Sequence, residues 1–218
     1  MQITAKGVTA AAPEQRADLR AEFAEKKCVV LRSLIEERLL RKILDGIESA
    51  QFYANSHRSG GDQEFATDLT VRENALPLHL INLLLNNRVL FESIEQITGC
   101  PSIGNFGGRI YKNLPNDDHH LEWHDDMDDS ARLVAISVNL STNRYGGGVF
   151  QIREKSSRKI FREVECQNAG DAHIFHISPL FEHRVTPTEG KHPRIAAAGW
   201  FFSGSNFLRA SKIFGNQE

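Results

Sequence analysis

The sequence predicts a mainly β, α+β fold: a double-sheet jelly-roll barrel with N-terminal helices packed on its outside. Two observations carry this. From Gly108 onward, short runs rich in Val, Ile and Phe alternate with polar or glycine-bearing turns, among them "RIYKNL", "RLVAISVNL", "VFQIRE", "DAHIFHI" and "RIAAAGWFF". About eight closely spaced strands of this kind make a sandwich or barrel. Before residue 100 the texture is helical, and a chain of 218 residues suits one domain whose core needs no staples. The expected organisation is a single domain, 1–218, with 1–100 as mostly helical support and 101–205 as the barrel core.

The elements follow in order. "MQITAKGVTAAAPEQ" lacks the continuous apolar core of a secretion signal. "CVVLR" (28–32) reads as a short strand. Ser33 with Glu36 has capping-box spacing, and Leu39, Leu40, Ile43, Leu44 and Ile47 recur behind it at helical intervals. Residues 51–75 show no clear periodicity and read as a long polar loop, a candidate lid or binding loop. "LPLHLINLLLNNRVLFESIEQITG" holds two further helical stretches, with Gly99 as the stop. The glycine run after Tyr145 reads as a tight turn rather than a phosphate cradle, since no helix follows it.

Composition narrows the function classes. Charged residues make up 25%, hydrophobic residues 40%, and the formal net charge is −2. Without a basic balance, bulk electrostatics give no reason to expect nucleic acid or an anionic membrane. No segment approaches the roughly 20 apolar residues of a membrane span. Cys28, Cys100 and Cys166 are odd in number and outside any CxxC pattern, which reads as reduced, packed thiols in a cytoplasmic protein.

The chemistry concentrates in "HHLEWHDDMDD" (119–129), where three histidines and five carboxylates occur without Lys or Arg. On a strand, alternation would project His120, Glu122, His124 and Asp126 from one face and Asp125 from the other. Either His120 with Glu122 or His124 with Asp126 could then hold a metal, with His183 of "EHRVTP" as the third ligand. Two histidines and one carboxylate leave coordination positions open, as in non-haem Fe(II) oxygenases. A structural zinc site would close all four, usually with thiolates, and no cysteine lies here.

In "HDD", "GGGVFQI", "AGDAHIF" and "EHRVTPTEGKHPRIAAAGWFF", in that order, the sequence resembles the Fe(II)/2-oxoglutarate-dependent dioxygenases, in particular the prolyl-4-hydroxylase-like branch. The likeness covers residues 108–203 and implies the double-stranded β-helix form of the jelly roll. It assigns the iron to His124, Asp126 and His183, because HxD lies one strand upstream of the glycine turn. His120 and Glu122 then become surface or substrate-side groups. Arg194, eleven residues beyond His183, matches the basic residue that pairs with the distal carboxylate of 2-oxoglutarate. A guanidinium fork suits that task. Ala196 departs from the family, which often has Ser or Thr there, so the carboxylate needs another donor. Tyr111 matches a co-substrate-contacting tyrosine.

The resemblance therefore implies a hydroxylase that uses Fe(II), 2-oxoglutarate and O₂, supported by ascorbate, and releases succinate and CO₂. Its substrate would be an amino acid, a peptidyl side chain or a small natural-product intermediate, with no nucleic-acid or membrane partner. Two other classes stay open on the residues alone. One is a cupin-like metal enzyme with no use for 2-oxoglutarate or Arg194. The other is a non-catalytic β-barrel binding module.

Overall fold

The structure is a computed structural model that describes residues 1–58, 64–115, 119–165 and 168–204. Strands β1 (Gln2–Thr4) and β2 (Gly7–Thr9) form an N-terminal hairpin, followed by α1 (Pro13–Lys26), β3 (Cys28–Leu31) and α2 (Glu37–Glu48). A second hairpin, β4 (Phe52–Arg58) and β5 (Glu64–Val71), precedes α3 (Leu76–Leu85) and α4 (Arg88–Thr98). Then come β6 (Ile103–Asn113), β7 (His120–His124), β8 (Arg132–Asn139), β9 (Gly146–Gly147), β10 (Phe150–Glu154) and β11 (Ile160–Val164). The last strands are β12 (Ala172–His176), β13 (Phe181–Val185), β14 (Thr188–Glu189) and β15 (Arg194–Ser203).

Ten of these strands are hydrogen-bonded side by side in the order β11-β10-β13-β7-β5-β6-β15-β8-β12-β3, with β4 attached to β5. The array curls on itself. Phe175 of β12 lies 4.7 Å from the ring of His183 on β13, and Phe150 of β10 lies 4.5 Å from Phe175. The two ends of the path thus meet across a shared interior, as the predicted barrel requires.

Alternation along the long strands divides their residues between two faces. On β15 and its neighbours, Ile110, Ile136, Val138, Ile174, Ala197 and Phe201 face outward into one buried cluster with Ile43 and Ile47 of α2, Ile81 and Leu85 of α3, and Leu90, Ile94 and Ile97 of α4. The helices therefore cover the barrel's outside, as expected. Gly99 ends α4 in the left-handed conformation (φ 72°), a backbone shape that glycine adopts without a Cβ penalty.

Two local expectations are overturned. Residues 51–75 are not a polar loop: most of the segment is the β4–β5 hairpin, whose second strand joins β6 and β7 and fills the gap between the barrel's halves. The Ser33–Glu36 capping box does not form either. Asp171, 2% exposed, accepts the Ser33 backbone N–H at 2.7 Å, and Ser33 sits at φ 48° outside the helix. Glu36 turns toward the N-terminal hairpin and accepts the Ala5 N–H, so α2 begins at Glu37 without a side-chain cap. A buried carboxylate is the stronger acceptor for that turn.

Candidate active site

The barrel interior encloses a cavity of about 980 Å³. His124, Asp126 and His183 lie on its wall, and their ligand atoms are all within 4.8 Å of one another. His124 and His183 are cross-strand partners on β7 and β13, with ring centroids 4.2 Å apart. Asp126 reaches both, Oδ1 lying 3.5 Å from His124 Nε2 and Oδ2 3.2 Å from His183 Nε2.

Simple alternation does not produce this cluster. The β7–β13 register shifts between the His183↔His124 and Val185↔Leu121 pairs, a bulge that turns both Leu121 and His124 to the cavity. Glu122 is thereby exposed, not on the His124 face as a regular strand would have it. Strand β7 ends at His124, and Asp126 takes φ 59°, a conformation uncommon for a residue with a Cβ. That turn brings the carboxylate back toward the two rings. Bulges re-aim side chains in this way beside functional sites. The side chain of His120, and Asp117, Asp118 and Cys166, lie outside the described residues.

Neighbouring groups fix the ligand atoms. His124 Nδ1 lies 2.7 Å from the Glu122 carbonyl. A carbonyl only accepts, so Nδ1 carries the proton and Nε2 presents its lone pair to the cluster. Burial, with His183 beside it, pushes the His124 pKa down to about 4, which keeps the ring neutral. Burial alone would raise the Asp126 pKa. His183, His124 and a hydrogen bond from Trp200 Nε1 at 2.8 Å reverse that and hold the carboxyl well below the usual range. Arg132 donates to the Asp126 carbonyl at 2.9 Å and stacks over Trp200 at 4.0 Å. Two imidazoles, one anionic carboxylate and ordered outer partners form a donor set that fits a divalent transition metal.

At another part of the cavity wall, Arg194 is 4% exposed and donates to the Tyr111 hydroxyl. Tyr145 also hydrogen-bonds Arg194. A Cβ on Gly148 would meet both the Tyr145 ring and Arg194 within 3.0 Å, so only glycine lets the turn after β9 close over the guanidinium. Buried and bordered by two phenols, Arg194 suits an anion entering from the cavity. His173 also lines the cavity; burial and the nearby Arg194 push its pKa down to about 3. Phe150 stacks on it at 4.5 Å.

The sequence reading therefore named the residues that meet here, but missed several supports. Trp200 is a hydrogen-bond donor to Asp126 as well as cavity wall. Tyr145 belongs to the Arg194 cluster, and no sequence signal marked it. Arg109, on β6 two residues from Tyr111, lines the cavity because alternation puts both on the inner face. Tyr53 and Arg72 enter through the hairpin that was read as a loop.

No curated protein matches the chain. Among solved structures, a 2OG-Fe(II) oxygenase-family oxidoreductase from Burkholderia pseudomallei superposes with a TM-score of 0.64 at 13% identity, covering 93% of this chain and 95% of that one. A Pseudomonas putida prolyl-4-hydroxylase gives 0.60 at 17% identity, covering 86% and 98%. A Trichoplax adhaerens prolyl hydroxylase in complex with a hypoxia-inducible-factor peptide fragment gives 0.64 at 11%, covering 92% and 93%. At such identities the likeness concerns the fold. Residues 108–202, the strands that carry the His124 cluster and Arg194, match the family profile described as the 2OG-Fe(II) oxygenase superfamily. By that match residues 108–202 of the chain are similar to the 2OG-Fe(II) oxygenase superfamily, a superfamily of oxidoreductases.

Proposed function

We propose that the protein is a hydroxylase that binds Fe(II) through His124, Asp126 and His183 and 2-oxoglutarate through Arg194 and Tyr111, acting on a carbon of an amino acid, peptide or small natural product. One observation carries the reading: the His-Asp-His cluster and the buried Arg194 face the same cavity of about 980 Å³. A cupin-like centre would have no use for that arginine, and a binding module would have no use for three converging ligands.

Bound there with 2-oxoglutarate, Fe(II) supplies the activation of O₂ that places one oxygen atom in a substrate C–H bond and the other in succinate, with loss of CO₂. The chain's own residues prepare this chemistry. The Glu122 carbonyl holds His124 in the tautomer that offers Nε2. Trp200 and Arg132 keep Asp126 in its turned conformation and anionic. Arg194 pairs with the distal carboxylate, and the Tyr111 hydroxyl, which already accepts from Arg194, donates its own proton to that carboxylate. This phenol takes the place of the hydroxyl that Ala196 lacks. Phe150 and Phe175 make an apolar wall beside His183 that excludes water.

The test is succinate formation by purified protein supplied singly and jointly with Fe(II) and 2-oxoglutarate in air. Strict dependence on both supports the reading. Metal-dependent turnover of a substrate panel without 2-oxoglutarate would replace it with the cupin-like alternative.

A further inference from the structure

From the cavity lining we infer that the substrate carries a carboxylate and that Arg109 receives it. The inference rests on the hydroxylase reading and adds the substrate's chemical class. Arg109 lines the cavity, while its ion-pair partner Asp68 is 4% exposed and does not. Asp68 Oδ2 lies 2.6 Å from Arg109 Nη1, and the guanidinium sits 5.0 Å from the Tyr111 ring. A carboxylate paired with an arginine and an aromatic ring beside it hold the planar fork in one orientation before a ligand arrives. Asp68 engages the fork through Nη1, and Arg109 forms part of the cavity lining.

The strand register says where a ligand on that fork would lie. Arg109 pairs across β6–β15 with Ala198, and Ala198 pairs across β15–β8 with Ser137. Tyr111, on the same face of β6, bonds Arg194 on one side. On the other side the next inward residue of β15 is Trp200, which bonds Asp126. On the inner face of the sheet the Arg109 backbone position therefore lies between that of Tyr111, which bonds Arg194, and that of Trp200, which bonds Asp126. The small side chain of Ala198 leaves the space open. Of the other cavity-lining cations, Arg132 binds the Asp126 carbonyl and stacks on Trp200, and Arg72 stacks on Tyr53 at 4.4 Å.

The experiment uses matched pairs of N-acetyl amino acids and short peptides, each as free acid and as carboxamide, with enzyme, Fe(II), 2-oxoglutarate and air. Products heavier by one oxygen and succinate are quantified together. Free acids should exceed their carboxamides in kcat/KM by about tenfold or more, the worth of one charge-assisted contact. In Arg109→Gln that ratio should fall to about one, and Arg109→Lys should restore part of it. A structural role would lower both members of each pair and leave the ratio unchanged, which overturns the inference. A raised 2-oxoglutarate KM with the ratio intact overturns it too, by moving Arg109 to the co-substrate. Succinate without any oxygenated free acid overturns it while leaving the hydroxylase reading standing. No succinate at all removes both.

Discussion

Trp200 and Asp126 stand 74 residues apart in sequence, yet the indole Nε1–H donates to the Asp126 carboxylate at 2.8 Å. The bond connects the long strand β15 to the turn that follows β7. It explains how an aspartate held at φ 59° keeps its carboxylate aimed at two histidines. Trp200→Phe keeps an aromatic ring for Arg132 to stack on but removes the donor. Outer partners of this kind are worth about 10- to 100-fold in metal affinity. Titration of the apoprotein with Fe(II) under argon, or with Mn(II), should show that loss, and unchanged affinity would show the bond to be incidental.

Arg194→Gln should raise the 2-oxoglutarate KM by about ten- to over a hundredfold, since a charge-assisted, bidentate contact is worth roughly 1.5–3 kcal/mol or more. Tyr111→Phe removes one neutral hydrogen bond and should cost less, about 0.5–1.5 kcal/mol. Metal affinity should hardly change in either variant. An unaltered KM in Arg194→Gln would mean that another residue anchors the carboxylate.

Asp171, in the "GD" turn of the resemblance, is a structural clamp rather than a site residue. It accepts the Ser33 N–H at 2.7 Å and the Asn168 N–H at 3.3 Å, tying β12 to the entry of α2. Its ion pair with Arg32, whose side chain is 67% exposed, adds little. Asp171→Ala should therefore destabilise the fold by about 2–3 kcal/mol, roughly 5–10 °C in melting temperature. Differential scanning calorimetry checks this, and an unshifted transition would contradict it.

Cys28 is fully buried, and burial pushes its thiol up to about 12 against the opposing influence of Arg162. At pH 8 only about one thiol in ten thousand would be ionised, and the thiolate is the nucleophile. Iodoacetamide should leave Cys28 unmodified in the folded protein and label it after denaturation, read by peptide mass spectrometry. Labelling of the native protein would show that β3 opens.

The barrel was legible because its strands carry a repeating signal: apolar residues at alternate positions, bounded by glycine and polar turns. The convergence of His124, Asp126 and His183 was legible from HxD and the ordered motifs downstream, but the strand argument attached to it failed. Alternation cannot register a bulge, and the β7–β13 shift moves Glu122 to solvent while Leu121 joins His124. The β4–β5 hairpin did leave a trace, since "SGGDQE" separates "FYANSHR" from "FATDLTV", two runs of strand-like composition. Polar residues on its cavity-facing side, among them Tyr53, Asn55 and Thr70, hid the period. Ser33 misled for a different reason. Its competitor, Asp171, lies 138 residues away, and no local window contains both. Tyr145 was illegible for the same cause, because its partner Arg194 becomes a neighbour only after the barrel closes.

The account stands most directly on the metal assignment, tested by succinate formation from 2-oxoglutarate in wild type, Asp126→Ala and Glu122→Ala with saturating Fe(II) in air. Wild type and Glu122→Ala should form succinate at comparable rates, because Glu122 faces solvent. Asp126→Ala, which removes the only carboxylate of the cluster, should fall by about a hundredfold or more. Equal turnover in Asp126→Ala, or its loss in Glu122→Ala, would contradict the assignment of the centre to His124, Asp126 and His183.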